Sequence, residues 1–183
     1  MRHRFVPFAA AAFALCAVLS PAPAAAYERQ WHAGLGLGYG LLTDDPVAHG
    51  LGGGLHLTYG LTDAFNAMVE IDVTGHPGDS LLISSGSLGV GYVFDVLQWV
   101  PYVGVMVGGY DLWTVGADCG TDIEGVPACH RGRMGGSIPL GLDYQISRDV
   151  AVGAQGRIHL LLLGESPAAY VTVFARAEIL WGY

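Results

Sequence analysis

Lysine is absent from this chain, and charge of either sign is scarce. Charged residues make up 13% of the 183 positions, against 52% hydrophobic ones. A formal charge of −8 excludes the basic footprint that nucleic-acid binding requires. Cysteine is nearly absent too, at three residues. No 3.6-residue apolar period survives after residue 27, so amphipathic helices are not expected. Glycine is abundant, at 28 residues. A composition this apolar and this rich in glycine is unlike an ordinary soluble domain.

The first 26 residues read as an export signal. Arg2 and Arg4 are followed by "FVPFAAAAFALCAVL", an apolar run too short to span as a helix. "SPAPAAA" supplies small residues, with Ala24 and Ala26 at the −3 and −1 positions of a cut before Tyr27. Cys16 lies inside the apolar run and not at its end, which argues against a lipid anchor. Residues 27–183 are then the mature chain, with six Arg facing sixteen Asp and Glu, a balance of −10. Two cysteines remain, and an exported chain with an even pair is expected to join Cys119 to Cys129 in a disulfide.

Alternation with a period of two replaces helical patterning. "RQWHAGLGLGYGLL" sets Trp31, Ala33, Leu35, Leu37, Tyr39 and Leu41 against His32 and four glycines. "AFNAMVEIDVT" sets Phe65, Ala67, Val69, Ile71 and Val73 against Asn66, Met68, Glu70 and Asp72. Eight such runs occur, at about 29–42, 50–61, 64–74, 82–94, 99–113, 133–146, 149–162 and 168–183. Most exceed the 5–6 residues usual in globular strands and the ~9–11 that cross a bilayer. Short connections ("LTDA", "DVLQW", "SRD") alternate with longer polar ones, as on the two rims of an outer-membrane barrel. "GLGLGYG" lacks dinucleotide-loop spacing, and no helix follows it. Small residues on one face suit the narrow interior of an eight-stranded barrel.

Alternation alone fits an apolar interior or an apolar exterior. Aromatic residues on the apolar face gather at the short-turn rim: Trp31, Tyr59, Phe65, Tyr92, Trp99, Tyr144, Trp181 and Tyr183. A girdle at one height is a membrane-interface feature. The opposite face carries Glu70, Asp72, Asp143, Gln155, Arg157, Arg176 and Glu178. The expected fold is therefore all-β, an eight-stranded antiparallel up-and-down transmembrane barrel with its charges in the lumen. Buried arginines need carboxylate partners. Glu70, Asp72, Asp143, Arg157, Arg176 and Glu178 are thus expected to form one connected network that plugs the barrel. Pro139 lies mid-strand without a backbone donor, so a bulge or a lost ladder bond is expected there.

The phrases "VPYVGVMVGGYDLW" and "IPLGLDYQISRDVAVGAQGRIHLLL", with the aromatic terminus, resemble the small outer-membrane barrels of the OmpA/OmpX type. The resemblance covers the mature chain and implies residence in the outer membrane of a Gram-negative cell, among lipid and lipopolysaccharide. It implies a monomer whose terminal Trp181 and Tyr183 are read by the barrel assembly machinery. No peptidoglycan-binding domain is expected after Tyr183. A structural or surface-interaction role without cofactor follows, with OmpW-like transport of small apolar molecules as the alternative. A membrane lipid hydrolase is the remaining thought, since "GRIHLLLLGES" offers His159, Glu165 and Ser166. His159 has the polar parity of its strand and no serine two residues on, so no enzyme is expected. Asp44, Asp45, Asp118, Asp122 and Glu124 match no calcium-loop spacing and read as a solvated acidic rim, with no metal expected.

Overall fold

A computed structural model describes residues 28–43, 47–78, 80–94, 98–114, 130–162 and 168–182. Eight antiparallel strands close into one barrel in chain order. They are β1 (Trp31–Leu42), β2 (Ala48–Gly60), β3 (Phe65–His76) and β4 (Leu81–Val93), then β5 (Trp99–Thr114), β6 (His130–Gln145), β7 (Val150–Leu161) and β8 (Ala168–Trp181). β1 pairs with β8 from Trp31↔Trp181 to Leu42↔Tyr170, so the ring has no edge strand.

The pairings fix the stagger of the barrel. His32 pairs with Thr58, Thr58 with Met68, Met68 with Gly89, and Gly89 with Met106. Met106 then pairs with Ser137, Ser137 with His159, His159 with Tyr170, and Tyr170 with Leu42. One circuit that leaves β1 at residue 32 returns to it at residue 42, a shear of 42 − 32 = 10 residues. Such a stagger tilts the strands by about 40°. A strand of 12 residues, the length of β1, then climbs about 30 Å, enough to carry an apolar band ~25 Å tall across a membrane.

The faces are inverted relative to a soluble protein. Leu37 is 68% exposed and Leu51 74%, and Leu55, Ile71, Leu88, Val107, Leu140 and Ile179 lie on the same outer surface. A continuous apolar exterior of this kind exceeds the patches of soluble monomers and requires lipid. Among the buried side chains, polar and charged residues outnumber apolar ones. Glycines make the narrow lumen possible. A methyl on Gly141 would enter the Tyr102 ring, and one on Gly34 would strike the His56 imidazole.

The trouble expected at Pro139 takes the form of a lost pairing. β5 and β6 pair up to Val103↔Leu140 and resume at Met106↔Ser137, with the register unchanged. Gly104 and Val105 have no ladder partners opposite Ile138 and Pro139, and no residue is inserted, so there is no bulge. Gly104 has no side chain where the Pro139 ring leans in; a Cβ there would lie 3.1 Å from Pro139 Cγ. On its other side Pro139 pairs normally with Arg157.

Candidate functional site

Among the described residues, the lumen is where ionisable groups are concentrated away from water. They hang from the inward-facing positions of β1, β2, β3, β6, β7 and β8, brought together by the shear of the ring. Two hydrogen-bonded clusters form.

The deeper one is built on Arg157, which is 2% exposed. Its Nη2 donates to Glu70, and its Nη1 donates to Asp72 Oδ2 at 3.3 Å. Both amino groups also reach Ser87 Oγ, at 3.3 and 3.2 Å. Ser85 donates to Asp72 at 2.6 Å, and Gln155 Nε2 donates to Glu70 at 2.9 Å. β3 and β7 lie on opposite walls of the ring, so these bonds cross the lumen.

Nearer the short-turn rim, Arg176 donates to Glu178 and to the Tyr102 hydroxyl, and its guanidinium carbon lies 5.3 Å from the Tyr102 ring centre. His32 Nδ1 sits 3.3 Å from Glu178 Oε2, and His56 Nε2 sits 2.9 Å from Oε1. A cavity of about 30 Å³ adjoins this cluster, lined in part by Thr58, Asn66 and Asp143. Beyond Arg157, towards the other rim, the lumen is filled by hydroxyl, imidazole and aromatic groups. Tyr110 shares a 3.0 Å hydrogen bond with His159 Nδ1, and His159 Nε2 lies 3.1 Å from Thr172. Thr74 and Tyr170 share one of 2.5 Å. Leu42, Ala48, Ile83 and Leu161 pack around these rings.

The six lumenal residues singled out in the sequence all face inward and are buried. They fall into two clusters where one network was expected, because the β7–β8 register sets Arg157 opposite Thr172, four residues along β8 from Arg176. Asp143 joins neither: among the described residues it makes no hydrogen bond or ion pair. Sequence reasoning missed His32, His56, Ser85, Ser87 and Tyr102. Their inward parity marked them, but their partners lie on strands far away in sequence. His159 is fully buried in the lumen, remote from lipid.

At the short-turn rim the outward aromatics meet across strands. Trp31 lies 4.5 Å from Tyr59 and 6.5 Å from Trp181 between ring centres, and Trp99 lies 4.8 Å from Tyr144. Phe65 and Tyr92 are 5.2 Å apart. Residues 1–26 with the Ala26–Tyr27 cut, Cys119, Cys129 and Tyr183 lie outside the described residues. So do Asp44, Asp45, Asp118, Asp122, Glu124, Glu165 and Ser166.

Apolar outside, charged inside and closed by eight strands, the molecule is a small transmembrane β-barrel. Neisserial surface protein A shares this fold with a TM-score of 0.65 and 13% identity, over 84% of this chain and 97% of that one. OprG from Pseudomonas aeruginosa matches at TM-score 0.56 and 10% identity, over 85% and 98% of the two chains. Ail, the attachment invasion locus protein of Yersinia pestis, matches at 0.54 and 13%, over 84% and 99%. At such identities the likeness is one of fold. No protein-family model matches the chain, and no curated protein matches it in sequence. The apolar exterior places the chain in a bilayer, and the fold is that of bacterial outer-membrane barrels.

Proposed function

We propose that this protein is a closed barrel that works at the cell surface, as a structural element or as a scaffold for interactions, and not as a pore. The observation that supports this most is Arg157. It bridges Glu70 and Asp72 from the opposite wall at mid-lumen, with the Tyr110, His159 and Tyr170 layer stacked beyond it. Side chains that fill an eight-stranded interior leave no continuous water path. The longer connections, on the rim opposite the aromatic girdle, are then the parts that meet the exterior. Two of the similar barrels are named for such roles, one as a surface protein and one for attachment and invasion. Ail has also been determined in complex with the heparin analogue sucrose octasulfate.

The expected surroundings are outer-membrane lipid and lipopolysaccharide. The barrel closes on its own eight strands, which supports a monomer. Delivery by the assembly machinery, with Trp181 and Tyr183 as the terminal signal, completes the proposal. Catalysis has no part in it, since His159 is committed to Tyr110 and Thr172 inside the lumen. Planar-bilayer recording of the purified protein tests the reading. Silence is expected. Stable conductance, or uptake of small apolar molecules by vesicles carrying the protein, would replace it with transport.

A further inference from the structure

Asp143 is the anomaly of the lumen. It is 7% exposed and, among the described residues, has no hydrogen-bond or ion-pair partner. Asn66 is 5% exposed, and its Oδ1 is enclosed with no donor. Both line the cavity of about 30 Å³ just inside the short-turn rim. Free acceptors around a space of that size point to something that occupies it, since roughly 10–15 Å³ already admits a water.

Charge narrows the choice. Arg176 is the one guanidinium at the cavity, and it is engaged by Glu178 and Tyr102. His32 lines the same cavity, and both His32 and His56 lie against Glu178. Glu70 is held by Arg157 and Gln155. Arg176 therefore serves Glu178, and among the described residues no cationic side chain contacts Asp143. A buried charge without compensation is costly. The position is also built for a carboxylate to remain there: Gly153 lacks the Cβ that would collide with Asp143 Oδ1.

We propose that this cavity binds a single monovalent alkali cation, held by the Asp143 carboxylate, the Asn66 side-chain oxygen and the Thr58 hydroxyl. All three are hard oxygen donors, the type such ions prefer. One unit of positive charge matches the single carboxylate of Asp143. The Arg176 guanidinium, and the absence of a further free carboxylate among the lining residues, disfavour a divalent ion. The site does not depend on the lumen being closed, so conductance and cation binding are separate questions.

The test compares purified barrel in neutral detergent at constant ionic strength and pH 7.5, with sodium or potassium chloride replaced stepwise by choline chloride. Choline is too large for the cavity. The thermal unfolding midpoint should rise saturably with the alkali ion, by about 3 °C at concentrations near ten times Kd. The ²³Na resonance should broaden in the presence of the barrel and sharpen when potassium is added in excess. Asp143→Asn should lose the response to salt identity. Equal midpoints in all three salts with an unbroadened sodium line would overturn the proposal and leave a proton on Asp143, or waters, in its place. An Asp143→Asn barrel that kept the full shift would overturn it as well. Should that variant fail to fold, sodium broadening and its displacement by potassium in the wild-type barrel still decide the matter.

Discussion

Arg157 shows why a single side chain matters so much in this lumen. Its guanidinium satisfies Glu70, Asp72 and Ser87 at once. Taking two carboxylates out of water is expensive, and this arginine supplies the positive charge that offsets the cost, beside the neutral donors Ser85 and Gln155. Arg157→Met fills a similar volume but leaves both acids without a cationic partner. It should destabilise the barrel by about 3–5 kcal/mol, read as a lower denaturant midpoint for loss of the compact, fast-migrating form on unheated gels. Glycine gives a second, subtler case. Gly141 faces Tyr102 so closely that Gly141→Ala must displace the ring and with it the Arg176 contact. Overpacking of this kind costs about 1–3 kcal/mol. Gly156 faces outward, where a Cβ would meet nothing nearer than the Leu140 carbonyl oxygen at 4.0 Å. Gly156→Ala should therefore leave the same unfolding midpoint unchanged or slightly raised. Equal losses from the two substitutions would show that backbone freedom, and not lumenal space, explains the glycines.

Among the elements, the strands were legible because one face must meet lipid and the other must not. Period-two alternation is the direct imprint of that requirement, and runs such as 99–113 differ from the observed Trp99–Thr114 by a single residue. β6 begins at His130, earlier than residue 133, because "HRG" emerges beyond the membrane where nothing enforces alternation. Register was not legible. It depends on which residues face each other across strands, and no single strand encodes its own offset. The same gap in knowledge merged two charge clusters into one expected network and hid the histidines around Glu178. For Pro139, sequence could say that a donor was missing but not how the ladder would absorb it. The connection from β5 to β6 carries the last prediction at this scale. Cys119 and Cys129 belong to it, and a disulfide between them would close a short loop worth about 2–3 kcal/mol in the chain-entropy model. Mass spectrometry after alkylation without reduction should find neither cysteine labelled; two labelled thiols would remove the bridge.

For the whole molecule, two sets of forces have different jobs. The backbone ladder closes on itself and leaves no edge strand, as a membrane interior demands, with its one gap between β5 and β6 at Gly104 and Val105. The lumenal side chains tie opposite walls together and decide whether water passes. Removing the second set should therefore leave the first intact. The double variant Arg157→Ser with Arg176→Ser deletes both cationic centres and shortens two long side chains. Glu70, Asp72, Asp143 and Glu178 would then face a wider, hydrated passage with no arginine to neutralise them. A ring of carboxylates favours cations. The expected outcome is a barrel that still migrates as a folded species before heating, with a reduced unfolding midpoint. In planar bilayers it should carry a cation-selective current where the parent is silent. If the double variant folds and stays as silent as the parent, the closure lies with the aromatic layer of Tyr110, Tyr170 and His159, which neither substitution touches. In that case the arginines serve stability alone, and the seal of the barrel has to be sought at Tyr170, whose replacement by alanine should then open it.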